Sequence, residues 1–172
     1  RDFRAAIGFR PQGLLVLQPT RVIRRKGIEM ALDLVSALAP ENAHLVITHS
    51  ATDEGAAYWH WLQHEARMLH VDLRLVDDFI GTRRARRHGH KVYTLWDAYL
   101  HADLVTYPSL YEGFGNALLE AIYFRRTVVV NCYPVYSADI KPAGFEFVEL
   151  GGFVDNSHVQ QIKALLGDAT RA

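Results

Sequence analysis

Short apolar runs alternate along this chain with longer stretches whose apolar residues recur at helical spacing. The runs 14–19 (LLVLQP), 44–49 (HLVITH), 73–76 (LRLV), 103–108 (DLVTYP) and 127–133 (TVVVNCY) predict buried strands, because a strand covered on both faces reads as continuously hydrophobic. Between the first two, Ile28, Ala31, Leu32, Val35 and Leu38 predict a helix that Pro40 stops. Tyr58, Trp61, Leu62 and Leu69 mark a second helix, with Thr52 or Asp53 as its cap. A third opens at 94–97, where Thr94 and Asp97 have capping-box spacing, and runs through Tyr99 and Ala102. A fourth covers 116–124. The stretch 145–150 (FEFVEL) predicts an edge strand, and 156–167 an amphipathic helix closed by Gly167.

Strand–helix alternation on this scale predicts an α/β fold, a Rossmann-like doubly wound parallel sheet with helices on both faces. Ligands of such sheets sit beyond the carboxyl ends of the strands, where the strand order reverses. For the commonest order that point lies between the first and fourth strands. The loop after the first is 20–27 (TRVIRRKG); the loop after the fourth is 109–115 (SLYEGFG). The two most unusual segments of the chain thus converge on one crevice. The connection 77–93 is too long for a minimal loop and reads as an insertion.

A chain of 172 residues suits one domain, 1–172, with one sizeable core. No run of eighteen apolar residues exists, so no membrane-spanning helix is expected. The start lacks the apolar core of a signal peptide and reads as a helix taken from within a longer protein. The lone Cys132 excludes an internal disulfide and suits a reducing, cytoplasmic setting.

Net charge is zero but unevenly spread. Residues 83–91 (RRARRHGHK) hold five formal positives and no acid, leaving 14 bases against 19 acids elsewhere. Arg21, Arg24, Arg25 and Lys26 form a second acid-free cluster. A neutral total argues against bulk nucleic-acid binding, and two local positive loops argue for a discrete anion. The 83–91 stretch reads as a solvated insertion; contact with RNA or with an anionic membrane periphery stays open.

The candidate chemistry lies in the two convergent loops. Gly113 and Gly115 precede a helix whose N–H groups and dipole suit a phosphate, although on glycine spacing alone a tight turn needing positive φ is the stronger reading. Arg21 suits bidentate phosphate contact and Lys26 a mobile point charge; Arg24 and Arg25 read as solvent-facing. Glu120 stands in a helix apolar nearly all round, so it is expected to be buried with a partner or to face a cleft, where sugar hydroxyls suit it. Glu112 could instead serve only the helix dipole. His60 and His64 lie one turn apart without a third ligand, and read as structural.

The segment 102–121 (ADLVTYPSLYEGFGNALLEA) resembles the donor-site signature of retaining glycosyltransferases with the GT-B fold, glycosyltransferase family 4 in particular. Its mark is the pair of glutamates separated by seven residues, here Glu112 and Glu120; 20–27 resembles the family's Arg-to-Lys diphosphate loop. The resemblance implies the C-terminal, donor-binding half of a two-domain enzyme. Arg21 and Lys26 would hold the diphosphate of a UDP- or GDP-hexose. Glu120 would accept from the ribose hydroxyls, and Glu112, Gly113, Phe114, Gly115 and Asn116 would hold the hexose and its distal phosphate. It further implies transfer with retention, front-face attack, no cofactor and no bound metal. The acceptor domain would lie outside these residues, so this half alone would bind without transferring.

Thr20 stands where the family often has glycine, and Arg125, Arg126 and Thr127 replace its Gly-x-Pro. Rival readings are a sugar-nucleotide epimerase or phosphorylase-like GT-B protein, or a non-catalytic module binding RNA or other anions.

Overall fold

The computed structural model describes residues 2–9, 13–38, 42–51 and 56–169. In chain order the elements are α1 Phe3–Ala6, β1 Leu14–Gln18, α2 Ile28–Leu38, β2 Ala43–Ile47, α3 Ala56–Met68 and β3 Asp72–Leu75. There follow β4 Ile80–Gly81, β5 Ala85–Arg87, β6 His90–Thr94, α4 Leu95–His101 and β7 Leu104–Tyr107. The chain closes with α5 Asn116–Tyr123, β8 Thr127–Asn131, β9 Val148–Leu150 and α6 Asn156–Ala169.

Six strands form one sheet in the order β3-β2-β1-β7-β8-β9. Every pairing in it is parallel, from Leu14 opposite Ala43 to Asn131 opposite Leu150. The order reverses between β1 and β7, the first and fourth strands of this sheet, as the sequence pattern predicts.

Alternation along the strands divides the core in two. Val16, Leu45, Ile47, Leu104 and Val129 pack with α2, α3 and α6, through Ile28, Leu32, Leu62 and Ile162. Leu15, Leu17, Val46, Val105, Val128 and Val130 pack with α1, α4 and α5, through Phe3, Ala98, Tyr99 and Leu118. A strand that feeds both clusters is apolar at nearly every position, which is why these strands lack an alternating pattern.

Strand and helix ends depart from the sequence reading. β2 stops at Ile47, which leaves Thr48 and His49 in the loop beyond its carboxyl end. On α3, Trp61 is 39% exposed rather than core-facing, and Leu69 lies past the helix end. α6 continues through Gly167, so that glycine does not end it. Asp155 serves its start, accepting from the backbone N–H groups of Ser157 at 2.8 Å and His158 at 3.2 Å. Pro40, Thr52 and Asp53, expected as a stop and caps, lie outside the described residues.

The Thr94–Asp97 capping box is present at α4. The 77–93 connection is ordered rather than a bare loop: β4, β6 and β5 make a separate small sheet, with β5 antiparallel to β6. His88 (φ 48°) and Gly89 (φ 83°) turn the hairpin, both left-handed as a two-residue turn of this kind requires. Arg84 folds back to donate to the Asp97 carboxylate, and with the capping contacts from Thr94 this lowers the Asp97 pKa to about 2.

Candidate functional site

The loops after β1 and β7 meet at the switch point. The Leu110 N–H donates to the Arg25 carbonyl at 2.9 Å. Gly27, at φ 59°, lies so close to Pro108 that an added Cβ would stand 2.3 Å from its carbonyl oxygen. Only glycine allows both that conformation and that approach. Beneath the loops, Thr106 Oγ1 donates to Gln18 Oε1 at 2.7 Å and Gln18 Nε2 donates to Thr20 Oγ1 at 2.9 Å. Gln18 is therefore the side-chain link between β1 and β7, and Thr20, where a glycine was the family expectation, is buried and accepts from it.

Glu112 and Lys26, 86 positions apart, form an ion pair in this crevice, and both are buried. Arg25 Nη1 approaches the other carboxylate oxygen at 3.0 Å, and Ser109 Oγ donates to Glu112 at 3.0 Å. Burial pushes the Glu112 carboxyl upward, but the bonds from Lys26, Arg25 and Ser109 outweigh it and hold its pKa below the ordinary value. For Lys26 burial wins over the attraction of Glu112, so the ammonium's pKa is lowered, with Arg25 and Arg21 adding to the effect.

Arg25 is thus half-buried and engaged, with its guanidinium also over the Tyr111 ring; the solvent-facing expectation holds only for Arg24. Arg21 is exposed at the rim, and no side-chain hydrogen bond or ion pair is found for it among the described residues.

Of the two expectations for Glu120, burial does not hold, and a place facing a cleft does. α5 is apolar in composition, but Leu119 (42%) and Tyr123 (76%) face solvent, and Glu120 is half-buried beside them. An eight-residue helix on one face of a sheet buries only one stripe, here Leu118 and Ala121. The buried carboxylate of the pair is Glu112. Glu120 instead borders an open cavity of about 420 Å³ with Gly81, Thr82, Thr94, Leu95 and Trp96. The insertion therefore supplies part of that cavity's wall.

Gly115 is the N-cap of α5 at φ 98°, and no side chain caps the helix. Its first N–H groups lack intrahelical partners. Gly113 is different: its φ is not positive, and nothing lies within 4 Å of where a Cβ would stand. Phe114 and Asn116 are exposed on either side of Gly115.

Two residues of the crevice escaped the sequence reading. His49 lies past β2, within electrostatic reach of Glu120, Arg21 and Lys26, and Thr48 Oγ1 is 2.9 Å from its Nδ1. Burial lowers its pKa, the cations add to that, and Glu120 opposes. A strand boundary drawn two residues earlier would have exposed it. Tyr133, past β8, is buried against Tyr107 and Tyr136; nothing in its apolar run marks it out.

A second cavity of about 460 Å³ lies by the hairpin, where both carboxylates are engaged: Asp2 by Lys91 and Tyr93, and Asp97 by Arg84. His60 and His64 are exposed on α3; among the described residues no group of three potential metal ligands occurs. No described helix is long and apolar enough to cross a membrane.

The chain is thus a doubly wound α/β domain whose reversal point holds cations, a carboxylate and an uncapped helix start. The profile of the family described as glycosyl transferases group 1 matches residues 14–145. The chain belongs to that family. It is 36% identical over 155 residues to the mannosylglucosylglycerate synthase of Petrotoga mobilis, covering 80% of this chain and 36% of that protein. The Thermotoga maritima protein of the same name is 32% identical over 183 aligned positions, covering 96% and 41%. The chain thus spans about two fifths of those relatives.

Among solved structures, HepE of Anabaena in complex with UDP-glucose superposes with a TM-score of 0.74 at 15% identity, covering 98% of this chain and 43% of that one. Sucrose-phosphate synthase from Thermosynechococcus elongatus gives 0.70 at 19%, covering 97% and 39%. At such identities these likenesses show the fold.

Proposed function

We propose that the crevice between β1 and β7 binds a nucleotide-diphosphate hexose, and that the chain is the donor-binding part of a retaining hexosyltransferase. The observation that carries this reading is the Lys26–Glu112–Arg25 cluster at the switch point, beside an uncapped helix start and a carboxylate-bordered cavity. A buried ammonium beside a half-buried guanidinium, with Arg21 exposed at the rim, suits a diphosphate better than a lone phosphate.

In this reading Arg21 and Lys26 hold the diphosphate, and the N–H groups from Gly115 to Ala117 meet its distal phosphate. Glu112, hydrogen-bonded by Ser109, accepts from the hexose hydroxyls. Glu120 accepts from the ribose hydroxyls, and the cavity beside Trp96 takes the base. When the anomeric C–O bond breaks, negative charge grows on the leaving diphosphate, where fixed cations and dipoles stabilise it without reorganisation. The leaving phosphate oxygen takes the acceptor proton on the same face, which gives retention.

Two relatives named mannosylglucosylglycerate synthase support a hexosyl transfer and make mannose the first sugar to try. HepE, solved with UDP-glucose, supports a UDP-sugar beside GDP- and ADP-sugars. That the chain spans only part of those relatives supports an acceptor site on a further domain, and hence binding without transfer by these residues alone. Calorimetric titration with UDP-, GDP- and ADP-hexoses tests the reading. One series should bind at micromolar levels; heats indistinguishable from dilution for all three would end it.

A further inference from the structure

Tyr133 is 1% exposed, and its hydroxyl is the one buried side-chain polar atom without a hydrogen-bond partner among the described residues. Folded chains rarely leave a buried hydroxyl unpaired, because it has lost its water and gained nothing. Its position gives that loss a purpose. An ideal Cβ on Gly115 would stand 3.2 Å from the Tyr133 hydroxyl and 2.9 Å from that of Tyr107. Gly115 is the uncapped N-cap of α5, so the phenol lies against the start of this helix, closer than any side chain at that position would allow.

The other polar side chains nearby are already engaged. The Tyr107 hydroxyl interacts with Glu112 and Ser109, and Glu112 is held by Lys26 and Arg25. Burial and the Glu112 charge push the Tyr133 pKa up to about 12, so the group stays an O–H donor in neutral solution. One unpaired O–H therefore lies beside the uncapped N–H groups at the start of α5. Unmatched donors at a helix start suit an oxyanion.

We propose that Tyr133 is a positioning residue of the donor site, its hydroxyl donating to an oxygen of the distal phosphate, opposite the N–H groups of α5. This rests on the reading of the crevice as a nucleotide-diphosphate site and adds a residue to it. The unpaired hydroxyl is then a donor held in place before the ligand arrives, at a cost to the stability of the free chain.

Tyr133→Phe removes one oxygen and leaves the packing of the ring. Binding is measured by calorimetry for the nucleoside monophosphate, the diphosphate and the nucleotide-hexose of the series that the wild type binds tightest. Urea unfolding of both proteins is measured alongside. The expected result is a five- to tenfold weaker binding of the diphosphate and the nucleotide-hexose, an unchanged monophosphate affinity, and a stability equal to or above wild type. Unchanged affinities for all three ligands would overturn the proposal, as would an equal loss for the monophosphate. A loss confined to the nucleotide-hexose would place the contact on the sugar and overturn the phosphate assignment. If the wild type bound no nucleotide at all, the crevice reading itself would fail, a result distinct from any of these.

Discussion

The Lys26 ammonium is ion-paired to the Glu112 carboxylate across the gap between β1 and β7, 86 positions apart in sequence and both below a tenth exposed. Each is a candidate ligand for a different part of the donor, and each is the other's partner while the crevice is free. The pair holds the two loops in register with the open end of the sheet. Breaking it from either side tests a different part of the account.

Glu112→Gln leaves the buried ammonium without its charge partner. Removing one member of a buried pair costs more than the pair is worth, here about 2 kcal/mol because water reaches the crevice mouth. The folded-state pKa of Glu112 is depressed, so its contribution is present above the ordinary value of 4.5 and is lost as pH falls through the folded value. Urea unfolding at neutral pH and at pH 4 should show a smaller difference between variant and wild type at the lower pH. A constant difference at both would remove the ionic basis of the effect.

Lys26→Met keeps the stem and removes the charge. Affinity for a nucleoside diphosphate should fall at least tenfold, at about 1.4 kcal/mol for each factor of ten, while the bare nucleoside is unaffected. Equal losses for both would mean that this lysine does not read phosphate.

Gly115→Ala and Gly113→Ala separate two glycines that the sequence could not tell apart. At Gly115 the alanine meets a φ of 98° and a Tyr107 hydroxyl at 2.9 Å, so about 1 to 3 kcal/mol of stability should be lost. At Gly113 nothing lies within 4 Å and φ is not positive, so stability should change by less than about 0.5 kcal/mol. Thermal unfolding of the two variants gives the comparison.

His49 should couple binding to protons. In the free crevice its pKa is lowered, first by burial and then by Arg21 and Lys26. A bound diphosphate neutralises those cations and raises it, so binding takes up a proton and weakens as pH rises between the two values. A nucleotide-hexose is the proper ligand, since its own phosphates do not titrate near neutrality. Affinities that stay flat from about pH 5.5 to 8, with no proton uptake in buffers of different ionisation heat, would exclude the coupling.

The sheet was legible because strands covered on both faces read as nearly continuous apolar runs, which in β1, β7 and β8 only Gln18, Thr106, Thr127 and Asn131 interrupt. The crevice followed from strand order alone, and Glu112, Lys26 and Gly115 lie in it. Which glutamate is buried was not legible. Composition makes α5 look apolar all round, yet Leu119 and Tyr123 face solvent because the helix has the sheet on one side only. Arg25 was misread for a similar reason: its partner lies 87 positions away. Tyr133 and His49 follow strands as ordinary residues, and only the sheet brings them to the crevice.

The amide spectrum of isotopically labelled chain, titrated with the tightest-binding nucleotide-hexose, tests the central claim most directly. The account predicts that backbone signals of Gly113, Gly115, Asn116 and Ala117, with those of Arg21 to Lys26, shift together at saturation. Shifts confined to the hairpin 83–91, with the α5 start unmoved, would contradict it and place the anion site on the basic insertion instead.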